Sequence, residues 1–138
     1  MNVKIVDKIS KDISTVYQAI VQKEQLCSYF TSSSSANLDA GERVIWEWED
    51  AGAKCEVFKI ETLANKTISF EWSTGAEAKQ VIIELNAITD SQTKITITES
   101  EFGNSESDIK AMLGQTQGWT HFVCCLKAYL YANINLRQ

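Results

Sequence analysis

The sequence predicts an α+β domain in which a curved antiparallel sheet wraps around a long C-terminal helix. Three observations lead to this fold class. Apolar and polar side chains alternate in the first ten residues, as they do in a strand. A period of two returns over residues 42–102, with glycine, asparagine and aspartate between its segments. The period then becomes helical from residue 105 onward, and two short helices are predicted directly after the first strand.

Length and composition fit one folded domain over residues 1–138. Of the 138 residues, 44% are hydrophobic and 22% are charged, which excludes a disordered chain. No apolar stretch is long enough to cross a bilayer, and the first residues lack the apolar region of a signal peptide. We therefore expect a cytoplasmic protein without a membrane span. The net charge of -5 gives no electrostatic reason to bind nucleic acid.

The residues that bind metals are few and poorly spaced. Cys27, Cys55, Cys124 and Cys125 form no C-x-x-C pair, and His121 is the single histidine. We expect free thiols in a reducing compartment, with no metal and no cofactor.

The first strand and two helices are predicted from the N-terminal third. Apolar side chains share one parity over residues 3–9, which predicts a strand. Ser10 or Asp12 then caps a helix. Its apolar positions follow helical spacing: Ile13, Val16, Tyr17, Ile20 and Val21. A second helical segment covers residues 23–30, and the serines at 32–35 break the pattern.

Four segments of the meander place apolar side chains on one face. They are Val44, Trp46 and Trp48; Ile68, Phe70 and Trp72; Val81, Ile83 and Leu85; and Ile95 with Ile97. In the segment 54–61, Cys55 and Val57 compete with Phe58 and Ile60 for the inner face. Its register stays open, and a β-bulge would account for it.

The last element is a long helix capped by Ser105, with Asp108 at its third position. Its stripe begins with Ile109, Met112 and Leu113, and it is extended by Trp119, Phe122, Val123, Leu126, Leu130 and Asn133. Gly114 and Gly118 interrupt this stripe, so we expect a break or kink before Trp119. Trp119 itself is expected to be buried against the sheet.

This order of elements is the helix-grip arrangement, and nearly the whole chain resembles the START-like (SRPBCC) superfamily. Within that superfamily it is similar to the small homologues of the heat-shock protein 90 ATPase activator. The matching features are the strand over residues 3–9, the spacing Ile13-x-x-Val16-Tyr17-x-x-Ile20, the pair Gly118-Trp119 and the run Leu126 to Leu130. The family often has paired glycines before the second strand, where this chain has Ala40 and Gly41.

The resemblance implies an apolar ligand held between the sheet and the long helix. The candidate ligand-binding residues are Trp46, Trp48, Phe70, Trp72, Ile83, Leu85, Ile97, Glu99, Trp119 and Phe122. A second interpretation stays open, in which these side chains simply fill the core.

Glu99 and His121 are the candidate polar groups. Glu99 has the parity of Ile95 and Ile97, so it would point to the dry side and accept a hydrogen bond from an indole N–H or a ligand hydroxyl. Alternatively, Glu99 lies near the end of its strand, where the rim of the sheet is exposed to solvent. His121 lies roughly 150° from the axis of the Trp119 stripe, so we expect it to face solvent or a neighbouring subunit. A general acid–base pair of the two is therefore disfavoured.

Two functions from different classes remain. The first is non-catalytic binding of a small hydrophobic or amphipathic molecule in a cavity between sheet and helix. The second, implied by the resemblance, is a co-chaperone-like interaction module for a heat-shock protein 90 ATPase. An enzyme ranks third, because an acid–base constellation is missing. The candidate protein partners are a chaperone and a second copy of the chain, which would form a homodimer.

Overall fold

A computed structural model describes residues 1–73, 75 and 77–138. It contains one curved antiparallel sheet of seven strands, in the order β1-β7-β6-β5-β4-β3-β2, and a long C-terminal helix. The α+β helix-grip prediction is confirmed. The elements are β1 (Val3–Ile9), α1 (Ile13–Val21), α2 (Lys23–Leu26), β2 (Ser33–Ser34), β3 (Arg43–Trp48), a 3₁₀ turn (Glu49–Ala51), β4 (Ala53–Leu63), β5 (Thr67–Trp72), β6 (Lys79–Thr89), β7 (Gln92–Ser100) and α3 (Glu106–Ala132).

The N-terminal helices follow the predicted order, and α2 is shorter than predicted. Asp12 caps α1, because its carboxylate accepts a hydrogen bond from the backbone N–H of Thr15. The helix α2 ends at Leu26, four residues before the predicted end. The buried Tyr29 that follows donates its hydroxyl to the Ala19 carbonyl over 3.0 Å. This contact joins the turn after α2 to the core.

The serine run contains a strand that the sequence analysis did not predict. Ser33 and Ser34 form β2, which pairs antiparallel with Glu47 and Trp46 of β3. A strand of two residues is too short to show an alternating pattern, so its position depends on the neighbouring strand rather than on its own side chains.

A β-bulge in β4 resolves the open register of the segment 54–61. The pairing of β4 with β5 shifts between Phe58 and Glu61, and Lys59 adopts a left-handed φ of 50°. Before the bulge, Cys55 and Val57 are the side chains that face the core.

The helix α3 is continuous over 27 residues, so the predicted break before Trp119 is wrong. The cap is as expected: Ser105 and Asp108 form a reciprocal capping box. Gly114 and Gly118 each cost the helix about 1 kcal/mol relative to alanine. The packing of the buried face outweighs this cost, and that face consists of Trp119, Phe122, Val123, Cys125 and Leu126. Within the described ranges, no helix combines the length and apolar character that crossing a membrane requires.

Candidate functional site

A buried carboxylate lies at the centre of the candidate site. Glu99 sits on the inner face of β7, between Val3 of β1 and Val81 of β6, and is fully buried. Its oxygens accept hydrogen bonds from the indole Nε1–H of Trp72 over 3.0 Å and of Trp119 over 2.8 Å. The inward orientation expected from strand parity is therefore the one observed, and the alternative of a wet rim is wrong.

A third donor completes the hydrogen bonding of this carboxylate. Gln115 lies one turn before Trp119 on α3, so both side chains reach the same region. The Gln115 Nε2 is 2.9 Å from one oxygen of Glu99 and 3.2 Å from the other. All these partners are donors, which is the arrangement an ionised carboxylate requires. Among the described residues, no cationic side chain lies within 4.0 Å of Glu99.

Four aromatic rings surround a pocket of about 210 Å³ next to this network. We call Phe30, Trp48, Trp72 and Trp119 the aromatic box. Ring centroids are 5.3 Å apart between Phe30 and Trp48, and 6.5 Å apart between Trp48 and Trp72. The ring centroids of Trp72 and Trp119 are 5.2 Å apart, and those of Trp119 and Phe30 are 6.4 Å apart. The strands β3 and β5, the helix α3 and the turn after α2 therefore contribute to one concave apolar surface.

The rest of the pocket lining is small or polar. It consists of Ala51, Ala53, Gln115, Gly118, His121 and Arg137. His121 is exposed, as expected, and its Nε2 lies 3.3 Å from the Sγ of Cys125. The Arg137 guanidinium forms an ion pair with Asp50 at 2.8 Å, which joins the segment after α3 to the 3₁₀ turn. The mouth of the pocket is thus polar, whereas its walls are aromatic.

The predicted site residues fall into three groups. Trp48, Trp72 and Trp119 line the pocket, and Glu99 lies behind two of them. The other predicted residues are buried in the core and do not line this pocket: Trp46, Phe70, Ile83, Leu85, Ile97 and Phe122. Ligand binding by all ten residues stays a prediction.

Sequence reasoning missed seven residues of the pocket: Phe30, Ala51, Ala53, Gln115, Gly118, His121 and Arg137. Gln115 could have been found from its i, i+4 relation to Trp119. Phe30 shares a helical face with Leu26, but only the fold brings it to β3. His121 was expected at the surface and not at a pocket mouth. Arg137 follows the last helix and shows no pattern that points to the pocket.

Trp46 supports the aromatic box from within the core. It is 2% exposed, and its Nε1–H has no hydrogen-bond partner among the residues described. Its ring lies nearly perpendicular to those of Phe30, Trp48, Phe70 and Trp72. Perpendicular rings can receive an N–H on their faces in a weak interaction.

A larger cleft of about 620 Å³ lies beside the first turns of α3. Its lining combines charged and polar side chains with glycines, Ala111 and Phe102, and the Lys79 ammonium lies 4.9 Å from the centre of the Phe102 ring. The smaller pocket is the better candidate, because buried aromatic rings and a buried polar network border it.

The thiol beside the pocket is unsuited to nucleophilic chemistry. Burial raises the pKa of the Cys125 thiol above its ordinary value. The protonated thiol is a weak nucleophile, since the thiolate is the reactive form.

Comparisons with known proteins agree with this architecture. A crystal structure of a protein from Staphylococcus saprophyticus is 28% identical, with a TM-score of 0.84 over 99% of this chain and 96% of that chain. The solution structure of the Aha1 dimer from Colwellia psychrerythraea is 18% identical, with a TM-score of 0.79 over 96% of this chain and 98% of that chain. An HSP90 activator from Plasmodium falciparum is 16% identical, with a TM-score of 0.74 over 95% of this chain and 96% of that chain.

The sequence comparison points to the same group of proteins. No curated protein matches the chain. Residues 11–131 match the family described as Activator of Hsp90 ATPase homolog 1-like protein. That match extends from the cap of α1 to the last turn of α3, so it covers most of the fold. The chain therefore belongs to the Activator of Hsp90 ATPase homolog 1-like protein family.

Proposed function

We propose that the protein binds a small hydrophobic or amphipathic molecule, without transforming it, in the pocket between the sheet and α3. The aromatic box is the observation that supports this function. Its rings come from separate elements and border about 210 Å³ of space. Apolar pockets with a few convergent polar groups are typical of small-molecule sites.

The pocket volume and the polar groups indicate the kind of molecule. An apolar cavity of about 150 Å³ accommodates benzene, so this pocket suits a single ring or a compound of similar size. A polar end of the ligand would meet His121 or Arg137 at the mouth. Binding without catalysis is favoured because Glu99 already accepts bonds from three side chains.

The experiment fills the pocket with a larger side chain, introduced at the exposed glycine of α3 that lines it. Gly118 lines the pocket, and a Cβ added there would meet no atom within 4 Å. Gly118→Leu should therefore abolish ligand binding and leave the fold intact. Gly114→Leu is the matched control, because Gly114 is one turn away, has equal space and lines the larger cleft instead.

The measurement combines native mass spectrometry of the purified protein with calorimetric titration of small aromatic compounds. We expect saturable binding to the natural chain and to the control variant Gly114→Leu, and no binding to Gly118→Leu. Failure of every compound to bind the natural chain would contradict the proposal. Equal binding by both leucine variants would place the ligand elsewhere.

A chaperone-directed role is the second candidate, and the family match over residues 11–131 favours it. A pull-down with heat-shock protein 90 and an assay of its ATPase rate would test this role. A complex together with a changed ATPase rate would support this role. The absence of both a complex and a rate change would count against it.

Self-association stays a prediction, and sedimentation analysis over a range of concentrations would check it.

A further inference from the structure

We propose that the pocket takes a small organic ammonium ion, which the aromatic box encloses and whose charge the buried Glu99 carboxylate compensates. This inference rests on the proposed function, since it names the class of ligand for the same pocket. It follows from three features of the site: an uncompensated charge, the orientation of one amide and the arrangement of two indoles.

The first feature is the missing counter-charge of Glu99. Its carboxylate is 0% exposed, and its hydrogen-bond donors are neutral side chains. Buried charges in proteins are normally paired with an opposite charge. In the part of the chain that the structure describes, no lysine, arginine or histidine forms an ion pair with it. A cationic ligand in the adjoining pocket would supply the opposite charge.

The second feature is the orientation of Gln115. Glu99 accepts only, so the amide nitrogen of Gln115 must face it, as the distances of 2.9 and 3.2 Å show. The carbonyl oxygen of the same amide then points away from Glu99. Gln115 lines this pocket as well as the larger cleft, so its amide, with this negative end of the dipole, borders the space where a ligand would bind. An ammonium group is attracted to such an oxygen.

The third feature is the use of both indole N–H groups behind the pocket wall. Trp72 and Trp119 direct their polar edges at Glu99, and an apolar part of each ring lines the pocket. Hydrogen bonds to an anion polarise the donor, and for an indole this increases the electron density of the ring. Ring faces attract cations, and tryptophan does so most strongly. The enclosing set of four rings is typical of sites for alkylated ammonium groups.

The Arg137 guanidinium and the His121 imidazole near the mouth do not reverse this preference. The Arg137 guanidinium is held by both carboxylate oxygens of Asp50, at 2.8 and 3.0 Å. His121 is exposed to solvent and contacts the Cys125 sulfur. The Glu49 side chain adds a negative charge on the same 3₁₀ turn as Asp50. Arg137 and His121 lie at the rim, whereas Glu99 adjoins the rings themselves.

The test uses two probes of the same shape. Choline and 3,3-dimethylbutan-1-ol differ in a single atom, a charged nitrogen in place of a neutral carbon. Calorimetric titration of the natural chain should show choline binding about tenfold more tightly, because a desolvated cation–π contact favours the charged probe. Equal or tighter binding of the neutral alcohol overturns the inference and leaves the proposed function standing. If neither probe binds, the inference is overturned, and the aromatic compounds and leucine variants above decide the proposed function separately.

Two variants assign the preference to Glu99. Glu99→Gln removes one negative charge behind the wall, and Glu101→Gln removes the same charge from an exposed position two residues later. We expect Glu99→Gln to reduce the choline preference over the neutral alcohol about tenfold, to near equality. Glu101→Gln should keep the preference. A Glu99→Gln variant that is folded by circular dichroism and retains the full preference overturns the role of Glu99. If that variant does not fold, the comparison of probes on the natural chain still supports or overturns the inference.

Discussion

Glu99 connects three elements through one side chain. Its carboxylate, on β7, holds Trp72 of β5 and both Gln115 and Trp119 of α3. A buried charge is costly by itself, and hydrogen bonds to a charged group contribute about 1.5 to 3 kcal/mol each. The network therefore stabilises the fold only as a complete set. It also orients two rings of the pocket.

Replacement of Glu99 by alanine should destabilise the protein strongly. It leaves the buried indole donors of Trp72 and Trp119 without an acceptor, and each such donor costs about 1 to 3 kcal/mol. We expect a loss of about 3 kcal/mol or more in the free energy of unfolding, measured by urea titration. Glu101→Ala, at an exposed position, is the control and should change little. Similar values for the two variants would contradict the role of the network.

Two matched substitutions should separate a bonded indole from an unbonded one. Trp46→Phe removes an N–H that has no partner among the described residues, whereas Trp72→Phe removes the bond to Glu99. Both side chains are buried, so the loss of volume is similar. We expect Trp72→Phe to cost about 1.5 to 3 kcal/mol more in unfolding free energy. A larger cost for Trp46→Phe would show that its N–H has a partner of its own.

At the scale of elements, α3 has a well-capped N-terminus, whereas its middle turns contain two residues of low helix propensity. The capping box of Ser105 and Asp108 satisfies backbone donors at the first turn, and hydrogen bonds to Ser105 lower the pKa of the Asp108 carboxyl. Gly114 and Gly118 then lie in the exposed part of the middle turns. Each leaves space that no other residue fills.

Alanine at either glycine should stabilise the protein. A Cβ at Gly114 or Gly118 meets nothing within 4 Å, so the substitution gains helix propensity without a clash. We expect about 0.5 to 1 kcal/mol for each, observed as a melting temperature a few degrees higher. Gly118→Ala should also weaken ligand binding, since it narrows the pocket, whereas Gly114→Ala should not. A lower melting temperature for Gly118→Ala would contradict the continuous helix.

Elements with a long run of alternating or helically spaced side chains were predicted well, whereas elements with a short run were not. Alternation over several residues was sufficient to orient Val44, Phe70 and Glu99 toward the core. The strand at residues 33–34 was missed because two residues form no pattern and pair only through a neighbour. The break at Gly118 was wrong because local propensity was weighed without the packing of Trp119 and its neighbours. Arg137 reaches the pocket only through the return of the chain after α3.

For the whole molecule, burial of neutral titratable groups makes stability sensitive to alkali. Burial raises the pKa of the Cys55 and Cys125 thiols above 9.0, and raises the pKa of Tyr29 well above 10.0. The folded state therefore keeps protons that the unfolded chain loses as the pH rises past these ordinary values. The stability that these groups contribute is fully present below pH 9.0 and is lost above it.

We accordingly expect the free energy of unfolding to decrease from about pH 9 upward, by up to about 1.4 kcal/mol per pH unit for each proton. Urea titrations between pH 8 and pH 11 would measure this slope. Replacing Cys55 and Cys125 together by alanine should make the slope shallower near pH 9. An unchanged slope would show that other groups control the alkaline limit.

The close grouping of the indoles also determines how the protein interacts with light. All four tryptophans of the chain belong to one cluster, with successive centroids 6.1, 6.5 and 5.2 Å apart from Trp46 to Trp119. At such separations the electronic transitions of the rings couple as excitons, and excitation passes between rings before it is emitted. The cluster should therefore behave as one chromophore, with a paired band of opposite signs in circular dichroism. A molecule that enters the pocket would change that band as a whole, so the protein carries an unlabelled optical reporter of its own occupancy.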